Sequence, residues 1–327
     1  MVISKTPFRV SFFGGGTDYP AWYQENDGMV LSSSIDKYCY IAARELPPFF
    51  DYNYRIRYAK NEDTKTIGEI EHPSVRECLA FLEVRKGLEI QHTADLPSMS
   101  GLGSSSSFTV GLLHALRALA GGTITDKMQL ALDAIHVEQG RIGESVGSQD
   151  QVVAAVGGFN IIRFRHDGIS VEPMRLPPER LSLFQDHLLF FFTGFTRYAS
   201  DVAAEKIKNI PGRGDDLRTM IRMAKEAVSI LKQERDILDF GRLLDENWKI
   251  KRTLAHNVTN PAIDAIYAAG MKAGALGGKL LGAGGGGFIL FFAEPERHAS
   301  IRAKLKDLLY VPIRFENLGS HLIYNQP

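Results

Sequence analysis

Four serines behind a glycine pair form the stretch of this sequence best suited to chemistry. Pro97, Ser98, Met99, Ser100, Gly101, Leu102, Gly103 and then Ser104, Ser105, Ser106 and Ser107 lead into Phe108, Leu112, Leu116 and Leu119. Those last four have the spacing of one helix face, so a helix is expected over 104–120. Glycine lets the backbone turn its N–H groups toward a ligand, and a helix start adds partial positive charge. Together they make an anion site suited to a di- or triphosphate. Serine hydroxyls can donate to phosphate oxygens or ligate a metal. Capping the helix would need one serine, not four.

Two more glycine clusters flank this one: Gly14, Gly15 and Gly16, and Gly282 with Gly284, Gly285, Gly286 and Gly287. Each alone reads as a tight turn; if all three converge, they wrap a single ligand. Two acids are placed to serve a phosphate. Magnesium-dependent phosphoryl transfer needs carboxylate oxygen for the metal and a base for the attacking hydroxyl. Glu138 and Asp150 could supply them, because Gly143 and Gly147 would break the helix between and fold Asp150 back. By spacing alone, both read as ordinary surface acids.

Several matches fail on context. Gly282-x-Gly284-x-x-Gly287 has dinucleotide spacing, but Phe288 to Phe292 read as a strand where that fingerprint requires a helix. Asp239-Phe240-Gly241 sits in a helical pattern with no kinase catalytic loop before it. His136-x-Glu138 lacks the Pro-Cys-x-x-Cys that completes a zinc deaminase site.

The elements that must position these residues follow from patterning. Strands are expected over 2–13, 29–44 (one or two), 53–60 and 88–94, with a helix over 74–86. A helix capped by Thr125 should run to about Gly140, followed by broken helix to Val156 and a hairpin around His166, Asp167 and Gly168. Pro177 and Pro178 mark a boundary, dividing the chain into 1–178 and 179–327. Beyond it a buried strand over 188–193 precedes helices over 200–209, 215–233, 237–255 and 261–270. Strands over 274–281 and 288–292 then flank the third cluster, before a last helix and two strands. Strands and helices mix without strict alternation, so the class is α+β.

Composition narrows the function. The chain has 327 residues, 38 Lys+Arg and 38 Asp+Glu, and a neutral chain is no general nucleic-acid binder. Two distant cysteines, Cys39 and Cys78, suggest neither a disulfide framework nor a zinc site. Apolar runs far too short for a bilayer and the absence of a signal-like start point to a soluble, cytoplasmic protein.

The three clusters, in order, resemble the three motifs of the GHMP kinases, the galactokinase, homoserine kinase, mevalonate kinase and phosphomevalonate kinase relatives. Motif one is Pro7 to Tyr19, motif two Leu96 to Ser107, and motif three Gly277 to Gly287. The resemblance implies a two-domain fold, ribosomal S5-like at the N-terminus and ferredoxin-like α+β at the C-terminus. It implies ATP and Mg2+, with Pro97, Ser100, Gly101, Leu102, Gly103, Ser104, Ser105 and Ser106 around the ATP phosphates. Ser105 and Glu138 then correspond to metal ligands, Asp150 to the catalytic base, Arg9 to its neighbour, and Asp18 to a sugar-binding aspartate.

Galactokinases carry Gly-Glu-His-Thr-Asp where this chain has Gly14-Gly15-Gly16-Thr17-Asp18, which argues against galactose. The Gly-Gly-Gly-Thr-Asp-Tyr-Pro form is similar to D-glycero-D-manno-heptose 7-phosphate 1-kinases, as are Thr193 to Arg197 and Trp248 to Arg252. That likeness implies phosphorylation of an anomeric hydroxyl, with a sugar phosphate as the small-molecule partner; a homodimer is compatible with it. Kinases of fucose or a modified amino sugar, and a sensor that binds sugar and ATP without chemistry, are the competing readings. A phosphorylated substrate needs a second anion site. Arg197, Lys251 and the amides of Gly14, Gly15 and Gly16 are candidates, with Gly284 and Gly285 also expected at the substrate; either cation could equally be a solvated surface charge.

Overall fold

The computed structural model describes residues 1–195, 199–233 and 235–327, the side chains of 199–201 excepted. Two sheets organise the chain. In the larger, His321–Asn325 pairs with Val2–Phe13, which pairs with the 18-residue strand Gly28–Glu45. One end of that long strand continues the sheet through Leu88–Ala94, Tyr54–Arg57 and Asn61–Thr64. Its other end pairs with Phe159–Arg165 and so carries the hairpin to Gly168–Pro173. The stretch over 29–44 is therefore one strand with different neighbours along its length.

The smaller sheet is antiparallel, in the order Leu309–Tyr310, Leu188–Phe192, Phe288–Phe292, Gly277–Leu280. Phe288–Phe292 is buried along its whole length, which explains an apolar run without alternation. The chain leaves the first sheet at Pro177 and Pro178, and its last strand returns to pair with Val2–Lys5. A single cut at 178 thus assigns the C-terminal strand to the wrong sheet.

The helix behind the four serines, Ser104–Leu119, lies directly on the first strand. Ser4 Oγ donates to the Gly111 carbonyl at 2.8 Å, and Ser107 Oγ to the Pro7 carbonyl at 2.9 Å. The next helix begins one residue later than its expected cap. Asp126, not Thr125, accepts the N–H groups of Met128 and Gln129 at 2.8 and 3.1 Å. It is α-helical over Lys127–Ile135 and then widens to a π-helical turn, His136–Ile142, which carries Glu138. Among the described residues, no helix is long and apolar enough to cross a membrane.

Aromatic rings join the two halves. Phe240, from the helix Leu238–Lys251, meets Phe13 at 5.1 Å, Phe184 at 4.7 Å and Phe292 at 5.5 Å. Its ring is fully buried, so Phe240→Ala should cost about 3–5 kcal/mol, read as a lowered midpoint in urea unfolding. A midpoint within error of the parent would show that these rings do not hold the halves together.

Candidate active site

The second and third glycine clusters meet. Motifs two and three pack backbone against backbone: a Cβ on Gly282 would lie 2.6 Å from Gly101 Cα, and Phe288 N–H donates to the Ser100 carbonyl at 3.0 Å. Neither contact tolerates a side chain between the loops. Motif one joins them through Arg9. Its backbone N–H donates to the Leu102 carbonyl at 2.9 Å, and its Nη1 to the Gly101 carbonyl at 2.7 Å.

The guanidinium also grips Asp150 with both edges, Nε to Oδ1 at 2.7 Å and Nη2 to Oδ2 at 2.6 Å. This bidentate geometry is the strong form of an Arg–carboxylate pair. Arg9 is buried, whereas the Asp150 side chain keeps 24% exposure and remains reachable by a ligand. Gly103, at φ +78°, lets the serine loop close on the pair: a Cβ there would fall 3.4 Å from Asp150 Oδ2 and 3.1 Å from Arg9 Cγ.

Asp150 opens the helix Gln149–Val156, and the turn before it is tied to motif one. Asp18 Oδ2 accepts from Gln149 Nε2 at 2.8 Å, Asp18 Oδ1 from the Gly16 N–H at 2.9 Å, and its carbonyl from Ser148 N–H at 2.9 Å. A Cβ on Gly147 would collide with the Asp18 carboxylate at 2.0 Å, so this turn requires glycine. Burial pushes the Asp18 carboxyl up, opposed by the Gly16 and Gln149 donors and reinforced by the Asp150 charge.

Glu138 is fully buried behind the serine loop. Its Oε2 accepts from Ser106 Oγ at 2.9 Å and from Gln151 Nε2, while Oε1 has no partner. Burial pushes this carboxyl up to about 7. The hydroxyl that meets Glu138 is that of Ser106 rather than Ser105, whose side chain is exposed at the helix start. Adjacent helical residues point about 100° apart, so only one of the two can turn toward Glu138.

The other expected residues differ in their exposure and in what they bind. Ser100 and Leu102 are wholly enclosed at the base of the serine loop, whereas Pro97 and Ser105 are exposed on it and Ser104 is half-buried. The Gly16 amide is committed to Asp18, and the Gly14 carbonyl to Thr17. A side chain on Gly15 would start 3.7 Å from Gln149 Nε2. The Gly285 N–H donates to the Val258 carbonyl at 2.9 Å and so is not free for a substrate, while a Cβ on Gly284 would lie 2.7 Å from Val258 Cα. Lys251 is 3% exposed and donates to the Leu280 and Gly282 carbonyls at 2.8 and 2.7 Å. It fastens motif three instead of facing a ligand. Arg197 lies outside the described residues.

Two lysines escaped sequence reading. Lys279 is buried and donates to the Ser11 and Phe12 carbonyls at 2.9 and 2.7 Å, tying motif three to the first strand. Lys206, on the helix Ala199–Asn209, donates to the Ala283 carbonyl. Lys279 stood inside motif three and could have been singled out there; Lys206 carries no signal, because a lone helical lysine normally faces solvent.

Two glycine-lined loops on one Arg–carboxylate pair, with a buried carboxylate behind, suit a small-molecule phosphotransferase. Family comparison agrees. The model for GHMP kinases N terminal domain matches residues 73–158, and that for GHMP kinases C terminal matches 224–311. The chain is 30% identical over 322 residues to the D-glycero-alpha-D-manno-heptose 7-phosphate kinase of Campylobacter jejuni, with 94% of each chain covered. It is 25% identical to the L-fucokinase/L-fucose-1-P guanylyltransferase of Bacteroides fragilis, over 94% of this chain and 36% of that protein. In fold it is similar to a D-glycero-D-manno-heptose 1-phosphate kinase from Bacteroides thetaiotaomicron, at TM-score 0.78, 22% identity and complete coverage of both chains. The chain belongs to the GHMP kinases, and within them it is a sugar kinase.

Proposed function

We propose that the protein transfers the γ-phosphoryl group of ATP, with Mg2+, to the anomeric hydroxyl of D-glycero-D-manno-heptose 7-phosphate, giving the 1,7-bisphosphate. The observation that carries this reading is Gly103, whose missing side chain brings the serine loop into contact with the Arg9–Asp150 pair. A phosphate held by that loop would lie beside the one exposed carboxylate of the pair.

In this reading Asp150 accepts the proton of the attacking hydroxyl. An anomeric hydroxyl is more acidic than an ordinary alcohol, so a carboxylate suffices as base. Arg9 uses three of its five N–H groups on Asp150 and Gly101, which leaves two for oxygens of the transferring group. Asp18, anchored by Gly16 and Gln149, orients sugar hydroxyls.

The residues fit a magnesium ion. Glu138 Oε1 is a buried oxygen without a partner, and Mg2+ takes one or two carboxylates plus substrate phosphates rather than a dedicated protein cage. Glu138, with the Ser106 hydroxyl already at its other oxygen, would hold it. When bound, the ion neutralises charge on the phosphates. Among the described residues no cluster of three or more acids, histidines or cysteines suggests a site that would hold a metal without nucleotide.

Sugar identity rests on the glycine-only form of motif one and on likeness to the Campylobacter jejuni kinase. Initial rates of ADP release with heptose 7-phosphate, unphosphorylated heptose, fucose, galactose and mevalonate test it. Heptose 7-phosphate should give the highest kcat/KM. Turnover of fucose alone would move the assignment to the fucokinases, and failure with every phosphosugar would sink it.

A further inference from the structure

Three glycines stand together in motif one, and the fold explains only two of them. Gly14 has φ +82°, and a Cβ there would lie 1.8 Å from the Met29 carbonyl oxygen; Gly16 has φ +111°. Gly15 is half-buried, its φ is not positive, and a Cβ on it would meet nothing closer than 3.7 Å. Backbone and packing at that position would accept alanine. Apart from its chain neighbours, two atoms lie within 4 Å of that Cβ position, and both are polar: Gln149 Nε2 at 3.7 Å and Ser11 Oγ at 3.8 Å. The residues that carry them are 7% and 6% exposed. Among the described residues Ser11 Oγ has no hydrogen-bond partner, and neither has Gln149 Oε1, the other end of the same amide. Gln149 Nε2 gives one hydrogen to Asp18 Oδ2, which fixes how the amide is turned. Buried polar atoms are costly to leave unpaired, so two of them beside a glycine that the fold does not require point to a partner that arrives with the ligand.

Connectivity places this niche beside the reacting pair. Ser11 follows Arg9 by two residues on the strand Val2–Phe13, so both side chains share one face of it, about 7 Å apart along the strand. Gln149 immediately precedes Asp150, the carboxylate that Arg9 grips. The lining also selects the ligand group. Ser11 Oγ can donate or accept, the second hydrogen of Gln149 Nε2 donates, and Oε1 only accepts. A hydroxyl does both and matches the set. An anion would leave Oε1 unpaired and would face the Asp18 carboxylate.

We infer that Ser11 and Gln149 hold a second hydroxyl of the sugar in the space that Gly15 leaves, and so help decide which sugars are turned over. This rests on the reading above, in which the reacting hydroxyl sits at Asp150. Gly15 is then kept small for the substrate, where Gly14 and Gly16 are kept small for the chain.

Initial-rate kinetics and ligand-free thermal melting of Ser11→Ala and Gly15→Ala test it. Each should raise the sugar KM roughly tenfold or more, with KM for ATP within about twofold of the parent. Neither should lower the melting temperature, because Ser11→Ala removes a hydroxyl without a partner and Gly15→Ala adds a methyl where there is room. A sugar KM unchanged in both variants would overturn the niche and leave it to water. A lowered melting temperature with both KM values rising in step would also overturn it, since that is the mark of a purely structural role. The variants are compared with the parent on whichever sugar the parent turns over. A parent that takes fucose but no heptose 7-phosphate therefore ends the heptose reading while the niche is still tested; a parent that takes no sugar overturns both.

Discussion

Asp150→Asn is expected to lower kcat by about 100- to 10,000-fold while ATP affinity changes only a few-fold. The asymmetry follows from where the carboxylate sits. Arg9 approaches both of its oxygens, and the side chain still keeps 24% exposure toward the space bordered by Gly103. An amide of the same shape preserves one acceptor for Arg9 but cannot take a proton from a hydroxyl. The serine loop remains held through the Leu102 carbonyl, which binds the Arg9 backbone, so the phosphates keep their seat. Steady-state ADP release and calorimetric ATP binding separate the two effects. Full turnover in Asp150→Asn would remove Asp150 from the base role, and equal loss of both would make it a structural residue.

Glu138→Gln is expected to lower kcat by about 100-fold or more and to raise the Mg2+ concentration needed for half-maximal rate. Loss of several kcal/mol of metal-based charge stabilisation corresponds to that range. Stability should move the other way. The folded-state pKa of Glu138 is raised to about 7, so the parent loses stability as pH climbs from the ordinary carboxylate range through about 7 without divalent cation. Gln has no charge to bury and escapes that loss. The variant should therefore melt no lower than the parent at pH 8 in chelator while being nearly inactive. A destabilised variant with normal Mg2+ dependence would show that Glu138 only braces Ser106 and Gln151.

Much of this site was legible because its determinants are local. Gly103, Ser106 and Phe108 announce a loop entering a helix, and alternating residues from Val2 to Phe13 announce the strand beneath it. The pairing of Arg9 with Asp150, 141 residues apart, came only from likeness to known motifs. Spacing could not decide between Ser105 and Ser106, because the choice depends on the rotational phase of the helix against Glu138. It could not find Lys206 either, since nothing in Ala203-Ala204-Glu205-Lys206-Ile207 says which face is covered by motif three. The return of His321–Asn325 to the first sheet was hidden for a similar reason: strand pairing over the full chain length leaves no local mark.

The neutral net charge concealed the most distinctive feature. Equal counts of acids and bases say nothing about where they lie, and Lys206, Lys251 and Lys279 are buried together around motif three. Burial lowers the proton affinity of all three. Backbone N–H groups at the glycine loops add attraction for anions that no formal charge records.

Phosphorus NMR of the product tests the whole arrangement most directly. With ATP, Mg2+ and heptose 7-phosphate, one new phosphate resonance should appear, coupled to the anomeric proton, while the original 7-phosphate resonance persists and ADP accumulates in equal amount. A new phosphate on any other oxygen, or ADP formed without a second sugar phosphate, would contradict a site in which Asp150 activates the anomeric hydroxyl beside the serine loop.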